Sequence, residues 1–284
     1  MRPVRLWRVG QGRVRVLYSR IVRRPAIAIL IVLLVVPAAR GAEPVVESLT
    51  IDDTTFGLQR PVWLYKSPGT TGSAKGRYNL FVFLQSEYVH ELAVPATLQK
   101  LVADGVIPPT IAVVLDTSTE RPNDIANRAK FDRFVTANLL PWMRSKLGPL
   151  PEPKNVVIVG FSVGGLNATY IAYRHPDVFG NVLAQSGAFW RGNEGSNDPP
   201  EWLTNEFRNK PRLPLRFYLE VGNGETRPAS NGVVFIEASR HLRDVLIAKG
   251  YVVQYTEVPR NIHDPDHLRP WLPAGIVYLS KPAP

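Results

Sequence analysis

Five consecutive residues, Gly160-Phe161-Ser162-Val163-Gly164, carry the clearest chemical signal in the chain. A serine flanked by glycines at −2 and +2 suits a nucleophile on a sharp strand-to-helix turn, where side chains at those two positions would strike the backbone. The surroundings agree: the apolar run Val156-Val157-Ile158-Val159 precedes the pentapeptide, and a helix-forming stretch starts at Gly165. A serine hydroxyl is a poor nucleophile until a base takes its proton, so a histidine is required. The chain has five. His175 ends the stretch after the elbow, where a helix-capping role is expected, and His241 lies inside an amphipathic helix. His90 precedes the elbow, whereas sites of this kind follow the chain order serine, acid, histidine. His263 and His267 remain, and His263 is favoured because it falls in the loop after a late strand while His267 opens the last helix.

A carboxylate must hold the imidazole in the right tautomer. Glu225, in Val221-Gly222-Asn223-Gly224-Glu225, lies just past a late strand and between Ser162 and His263 in chain order. Glu257 is its rival; Asp264 adjoins the histidine and would need an unusual backbone path to reach it. Acyl transfer also needs donors for the developing oxyanion. The backbone N–H of Val163 supplies one, and the second is expected from the loop Gln85-Ser86-Glu87 after the third strand, for which Ser86 is taken. With no cysteine in the chain, a thiol nucleophile, disulfides and thiolate metal sites are all excluded. The histidines show no zinc-type pairing with carboxylates, and no Gly-rich phosphate loop follows a strand before the elbow, so neither metal nor nucleotide cofactor is expected.

These residues need a scaffold. Short β-branched or aromatic runs at 46–51, 61–65, 80–84, 111–115, 156–159, 182–185, 216–221 and 252–258 read as strands. Amphipathic stretches at 93–103, 128–147, 165–174, 234–249 and 267–279 read as helices. Within 234–249, Phe235, Ala238, Leu242 and Val245 recur every three or four residues and form one apolar stripe. Such alternation predicts an α/β fold with a mostly parallel central sheet and helices on both faces, and together with the serine elbow it is read as a single α/β-hydrolase domain over 42–284. The polar, proline-bearing stretch 191–214 interrupts it, with a short helix expected at 201–208.

The formal charge of +10 invites a nucleic-acid or membrane partner, but its location argues otherwise. Residues 1–41 hold nine arginines and no acid, so taking nine from +10 leaves the remainder at +1. No nucleic-acid partner is expected. The apolar run at 26–36, followed by Pro37-Ala38-Ala39-Arg40-Gly41-Ala42, predicts a signal peptide cut after Gly41 and a periplasmic or secreted product. An uncleaved anchor at 26–36 is the alternative, and the only membrane contact expected, although the run is shorter than the roughly 20 residues that span a bilayer.

From about Leu80 to Tyr278 the chain resembles the enterochelin-esterase-like branch of the putative esterases, a group related to S-formylglutathione hydrolases, feruloyl esterases and mycobacterial mycolyltransferases. Gly160-Phe161-Ser162-Val163-Gly164-Gly165 and Gln185-Ser186-Gly187-Ala188-Phe189-Trp190 carry the likeness. So do Ile262-His263-Asp264, similar to a Gly-Gly-His-Asp motif, and Leu139-Leu140-Pro141-Trp142. The resemblance implies His263 as the base and supports Glu225 as the acid, although some siderophore esterases are thought to rely on a Ser-His pair. It places Arg121, in Arg121-Pro122-Asn123-Asp124-Ile125, where the family has Arg-x-x-Glu-Leu, implying a grip on an anionic or polar part of the substrate. Glu87 and Trp190 join it as substrate-contacting residues.

Two departures stand out. Gln85-Ser86 replaces the family's Asp-Gly, which puts the second oxyanion donor at issue because serine adopts glycine-like angles less readily. Asn261-Ile262 replaces two glycines, so the loop carrying His263 is expected to take a different path. The function implied is a serine esterase acting on a small-molecule ester outside the cytoplasm, with a ferric siderophore among the candidates. A carbohydrate feruloyl or acetyl esterase, an acyltransferase and a catalytically silent binding domain are the alternatives.

Overall fold

The computed structural model describes residues 44–70, 78–117, 127–192 and 199–282. Arg121 and the expected signal or anchor segment lie outside the described residues. Strands β1 (Val46–Asp53), β2 (Leu58–Lys66), β3 (Asn79–Phe83), β4 (Thr110–Leu115), β5 (Val156–Phe161), β6 (Asn181–Gln185), β7 (Arg216–Gly222) and β8 (Val252–Val258) form one sheet. Its order is β1-β2-β4-β3-β5-β6-β7-β8. β2 runs antiparallel to both neighbours, and the pairings from β4 across to β8 are all parallel. Parallel neighbours need crossovers, so helices are laid over both faces.

The helices are α1 (Glu87–His90), α2 (Val94–Ala103), α3 (Arg128–Phe134), α4 (Leu140–Leu147), α5 (Val163–Arg174), α6 (Trp202–Asn209), α7 (Phe235–Ala248), α8 (Pro265–Leu268) and α9 (Leu272–Ser280). Because side chains alternate along a strand, each strand feeds two apolar layers. In β3, Leu80 and Val82 enter a layer with Phe131, Leu166, Phe207 and Leu242 from α3, α5, α6 and α7. Phe81 and Phe83 enter the opposite layer, with Val94, Leu98 and Ile276 from α2 and α9. The central strands β3, β4, β6 and β7 are buried at every position, as two-sided coverage demands, whereas β8 at the edge is buried only at Val258.

Local chemistry corrects several expected boundaries. The stretch 267–279 is not one helix but α8, a short turn and α9, because Pro270 has no N–H with which to continue α8. The stretch 128–147 is helical throughout but opens into a π-helical segment, Val135–Leu139, just before Pro141, which cannot donate to the carbonyl of Ala137. α5 begins at Val163 rather than Gly165, directly off Ser162. The strand ends that matter for chemistry, those of β3, β5, β6, β7 and β8, therefore lie side by side along one edge of the sheet.

Candidate active site

Ser162 leaves β5 with φ 55° and ψ −121°, a backbone state that side chains rarely tolerate, and it caps α5. Neighbouring backbone fixes it there. Its N–H donates to the Gln185 carbonyl at 2.9 Å, while its own carbonyl accepts from Leu166 at 3.1 Å and from Ala188 at 2.9 Å. The glycines do what the sequence suggested. A Cβ at Gly160 would lie 2.2 Å from the carbonyl oxygen of Gly164, and one at Gly164 would lie 2.4 Å from Oε1 of Gln85.

The loop after β8 carries His263 to this turn, and the loop after β7 carries Glu225. His263 Nε2 lies 2.9 Å from Ser162 Oγ, and Nδ1 lies 2.7 Å from Glu225 Oε2. The carboxylate is almost wholly buried, its side chain 2% exposed, while the imidazole remains 32% exposed on the pocket side. Oε1 of Glu225 accepts from the Ser186 hydroxyl at 2.5 Å and from the Gly222 N–H at 2.7 Å, so both carboxylate oxygens are held in place. Such a chain of carboxylate, imidazole and hydroxyl can take the serine proton and return it to a leaving group. The ring of His263 is packed between Phe161 and Phe235, each with its centroid 4.8 Å away.

In the loop carrying His263, the two positions where the family has glycines are not the ones whose backbone turns left-handed. The positive-φ residues are Arg260 (58°) and His263 itself (83°), not Asn261 or Ile262. Asn261 is fully buried and works through its side chain: Oδ1 accepts from the N–H of His263 at 2.9 Å and of Asp264 at 2.8 Å.

The rival residues are engaged elsewhere. Both oxygens of Glu257 bind Arg240, at 2.8 and 2.9 Å, and that hydrogen-bonded guanidinium lowers its pKa. Asp264 caps α8 through the Asp266 N–H and pairs with His267 Nδ1 at 3.1 Å. His175 ends α5 and meets Asp132 at 2.5 Å, His241 pairs with Glu201, and His90 rests edge-on against Trp63.

Val163 is the first residue of α5, so its N–H has no intrahelical acceptor and lies at the positive end of the helix dipole. Ser86 sits beyond β3, which is registered directly beside β5, and Gln85 Oε1 accepts the Phe161 N–H at 2.7 Å. The loop thus abuts the elbow. The substitution of the family glycine carries no strain, since Ser86 has φ −67° and ψ −23°. Glu87 begins α1 beside it. Trp190 is half-buried and one ring removed from His263, its centroid 5.6 Å from that of Phe235. Beneath the elbow runs a buried polar chain that sequence reasoning missed. The Tyr88 hydroxyl donates to Gln185 Oε1 at 2.9 Å, and Gln185 Nε2 donates to Glu220 Oε2 at 2.7 Å. Burial pushes the Glu220 carboxyl up to about 7, against the pull of the Gln185 amide. The side-chain roles of Ser186, Asn261 and Gln85 were missed likewise, although Gln85 belongs to the loop expected to supply the second oxyanion donor and the other two lie in or beside a glycine-bearing motif.

A mostly parallel eight-stranded sheet with its second strand reversed, a strained serine between β5 and a helix, and an acid and a histidine arriving after β7 and β8 together define an α/β-hydrolase. Within that class the chain belongs to the putative esterase family, whose model matches residues 58–276. It is 29% identical over 208 residues to the iron(III) enterobactin esterase of Dickeya dadantii, covering 69% of this chain and 46% of that protein. With the Escherichia coli K12 enzyme of the same name it shares 31% over 140 residues, 48% of this chain and 34% of the other. The chain thus spans less than half the length of these relatives. Among solved structures, the enterobactin esterase of Shigella flexneri, crystallised in the presence of enterobactin, matches with a TM-score of 0.70 at 23% identity, over 84% of this chain and 60% of that one. A ferulic acid esterase matches with a TM-score of 0.67 at 14% identity, over 84% and 98% of the two chains. These two likenesses establish the shared fold.

Proposed function

We propose that this chain is a serine esterase that hydrolyses carboxylic esters through an acyl-enzyme on Ser162, with siderophore esters of the enterochelin type as the substrate class. The observation that carries this reading is the unbroken hydrogen-bonded line Glu225–His263–Ser162 in a member of an esterase family. Sequence identity of 29–31% to iron(III) enterobactin esterases supports the substrate class.

In the proposed reaction His263 Nε2 removes the Ser162 proton as Oγ attacks the ester carbonyl. Glu225 holds Nδ1 and stabilises the imidazolium that forms. The N–H of Val163, with a second donor from Gln85-Ser86, receives the oxyanion. His263 then protonates the departing alcohol, and water, deprotonated by the same nitrogen, releases the acid. The reaction takes place outside the cytoplasm, in the periplasm or as a secreted protein, on the strength of the basic and apolar segment at 1–41.

The test combines fluorophosphonate labelling, read by mass at Ser162, with an ester panel that includes ferric and iron-free catecholate siderophores. The wild type should label and turn over at least one siderophore ester, and Ser162→Ala should do neither. Absence of labelling under conditions where a control esterase reacts would end the serine-hydrolase reading. Labelling with turnover of feruloyl or acetyl esters alone would move the substrate class to carbohydrate esters.

A further inference from the structure

Beside His263 lies a cavity of about 280 Å³ whose lining includes Glu225, Arg227, Pro228, Phe235, Ile262 and His263 itself. Most of its lining is apolar, and Ile262 is 71% exposed. The loop that forms the cavity is ordered. Pro228 and Val234 bridge across it, Ala229 donates to the Val233 carbonyl at 2.8 Å, and Asn231 Nδ2 binds the Trp190 carbonyl at 2.8 Å.

The charge balance in this cavity is lopsided. Glu225 is the one acid among the residues that line it, but Oε1 is taken by Ser186 and Gly222 and Oε2 by His263. Arg227 is exposed, and no side-chain hydrogen bond or ion pair engages it among the described residues. Arg227 therefore brings an unengaged cationic fork to a largely apolar pocket whose one carboxylate is already hydrogen-bonded, an arrangement suited to a carboxylate or similar anion on a short organic arm.

The side of the site fixes which half of the ester this is. His263 Nε2 must hand its proton to the departing alcohol oxygen, so the alcohol portion lies against the imidazole, and the cavity shares that wall. At about 280 Å³ the space falls just under the roughly 300 Å³ at which pockets begin to enclose a drug-sized ligand. It accommodates one arm of a large ester rather than the whole.

We infer that Arg227 and this cavity form a leaving-group subsite selective for esters whose alcohol portion carries an anion, a hydroxy-acid arm above all. This rests on the ester-hydrolase reading above and makes Arg227 a specificity-determining residue. The measurement is kcat/KM for two matched esters, N-acetyl-O-butanoylserine and its C-terminal amide, which differ only in the carboxylate on the alcohol side. The wild type should prefer the free acid by about two- to fivefold, less at high salt, as expected for one exposed charge pair. Arg227→Gln should remove the preference by bringing turnover of the free acid down to that of the amide, Arg227→Lys should keep part of the preference, and Arg227→Glu should reverse it. Turnover of both esters without preference, or a preference that survives Arg227→Gln, overturns this inference alone. No turnover of either ester together with an unlabelled Ser162 removes the hydrolase reading and this inference with it.

Discussion

The hydroxyl of Ser186 donates a 2.5 Å hydrogen bond to Oε1 of Glu225, the carboxylate whose other oxygen meets Nδ1 of His263. Ser186 follows β6, Glu225 follows β7, and Ser186 itself is held at φ 45° with its N–H on the Glu220 carbonyl at 2.7 Å. The clamp ties the acid to the strand that also accepts the N–H of Ser162 through Gln185. The orientation of the acid and the position of the nucleophile are thus set by consecutive residues.

Removing that clamp should cost catalysis rather than binding. Ser186→Ala is expected to lower kcat about tenfold with KM little changed, since a hydrogen bond to a charged group is worth about 1.5–3 kcal/mol and only part of it is felt at His263. Steady-state kinetics on any accepted ester checks this. An unchanged kcat would mean that Gly222 alone suffices to orient the carboxylate.

The two candidate acids separate cleanly. Glu225→Gln should reduce kcat by about 10²–10⁴-fold, because the amide presents the wrong group to Nδ1 and leaves the imidazolium without its counter-charge. Glu257→Gln should leave kcat intact and change stability by no more than about 1 kcal/mol, since its partner Arg240 is on the half-exposed edge and has Glu237 as a second ligand. The reverse ranking would return the acid to Glu257.

The elbow glycines are not equivalent. At Gly160 a methyl group would lie 2.2 Å from backbone oxygen that cannot move without breaking the turn, so Gly160→Ala should unfold the turn and lower stability by about 3 kcal/mol or more. At Gly164 the obstacle is the far end of the Gln85 side chain. Gly164→Ala should therefore fold, losing chiefly the 2.7 Å bond from the Phe161 N–H and with it some activity. Denaturant melts of the two variants, side by side, distinguish these cases.

Much of this site was legible because its signals are local. The glycines around Ser162 report a steric requirement within five residues, and a late histidine with an intervening carboxylate follows from chain order alone. The parallel sheet was legible for the same reason: strands with apolar centres such as β4 and β6, alternating with helices, have few other solutions. What escaped depends on the path of the backbone. Asn261 reads as a replacement for a turn glycine, yet the turn is taken by Arg260 and His263, and the Asn261 side chain supplies acceptors that two glycines could not. Ser186, Gln185 and Glu220 look like ordinary strand-end residues until the parallel register of β5, β6 and β7 brings them together under Ser162.

Glu220 gives a prediction with a definite sign. Its carboxyl is fully buried on β7, donated to by the Gln185 amide, and raised from an ordinary 4.5 to about 7 chiefly by desolvation. Between those values the unfolded chain has lost the proton and the native state has kept it, so the native state binds more protons and stability falls as pH rises through this window. The loss is complete once the pH passes about 7, and at roughly 1.4 kcal/mol per pH unit it reaches about 3 kcal/mol. Gln at this position keeps a carbonyl for the Gln185 amide and has no proton to lose. Urea melts of wild type and Glu220→Gln from pH 5 to 9 should therefore give a stability difference that grows in favour of the variant and levels off above about pH 7. All other titrating groups are common to both proteins and cancel in that difference. A flat difference across the range would mean that the carboxyl titrates in the native state as it does in the unfolded chain, and that the chain from Tyr88 to Glu220 is charged beneath the nucleophile at every pH where the enzyme works.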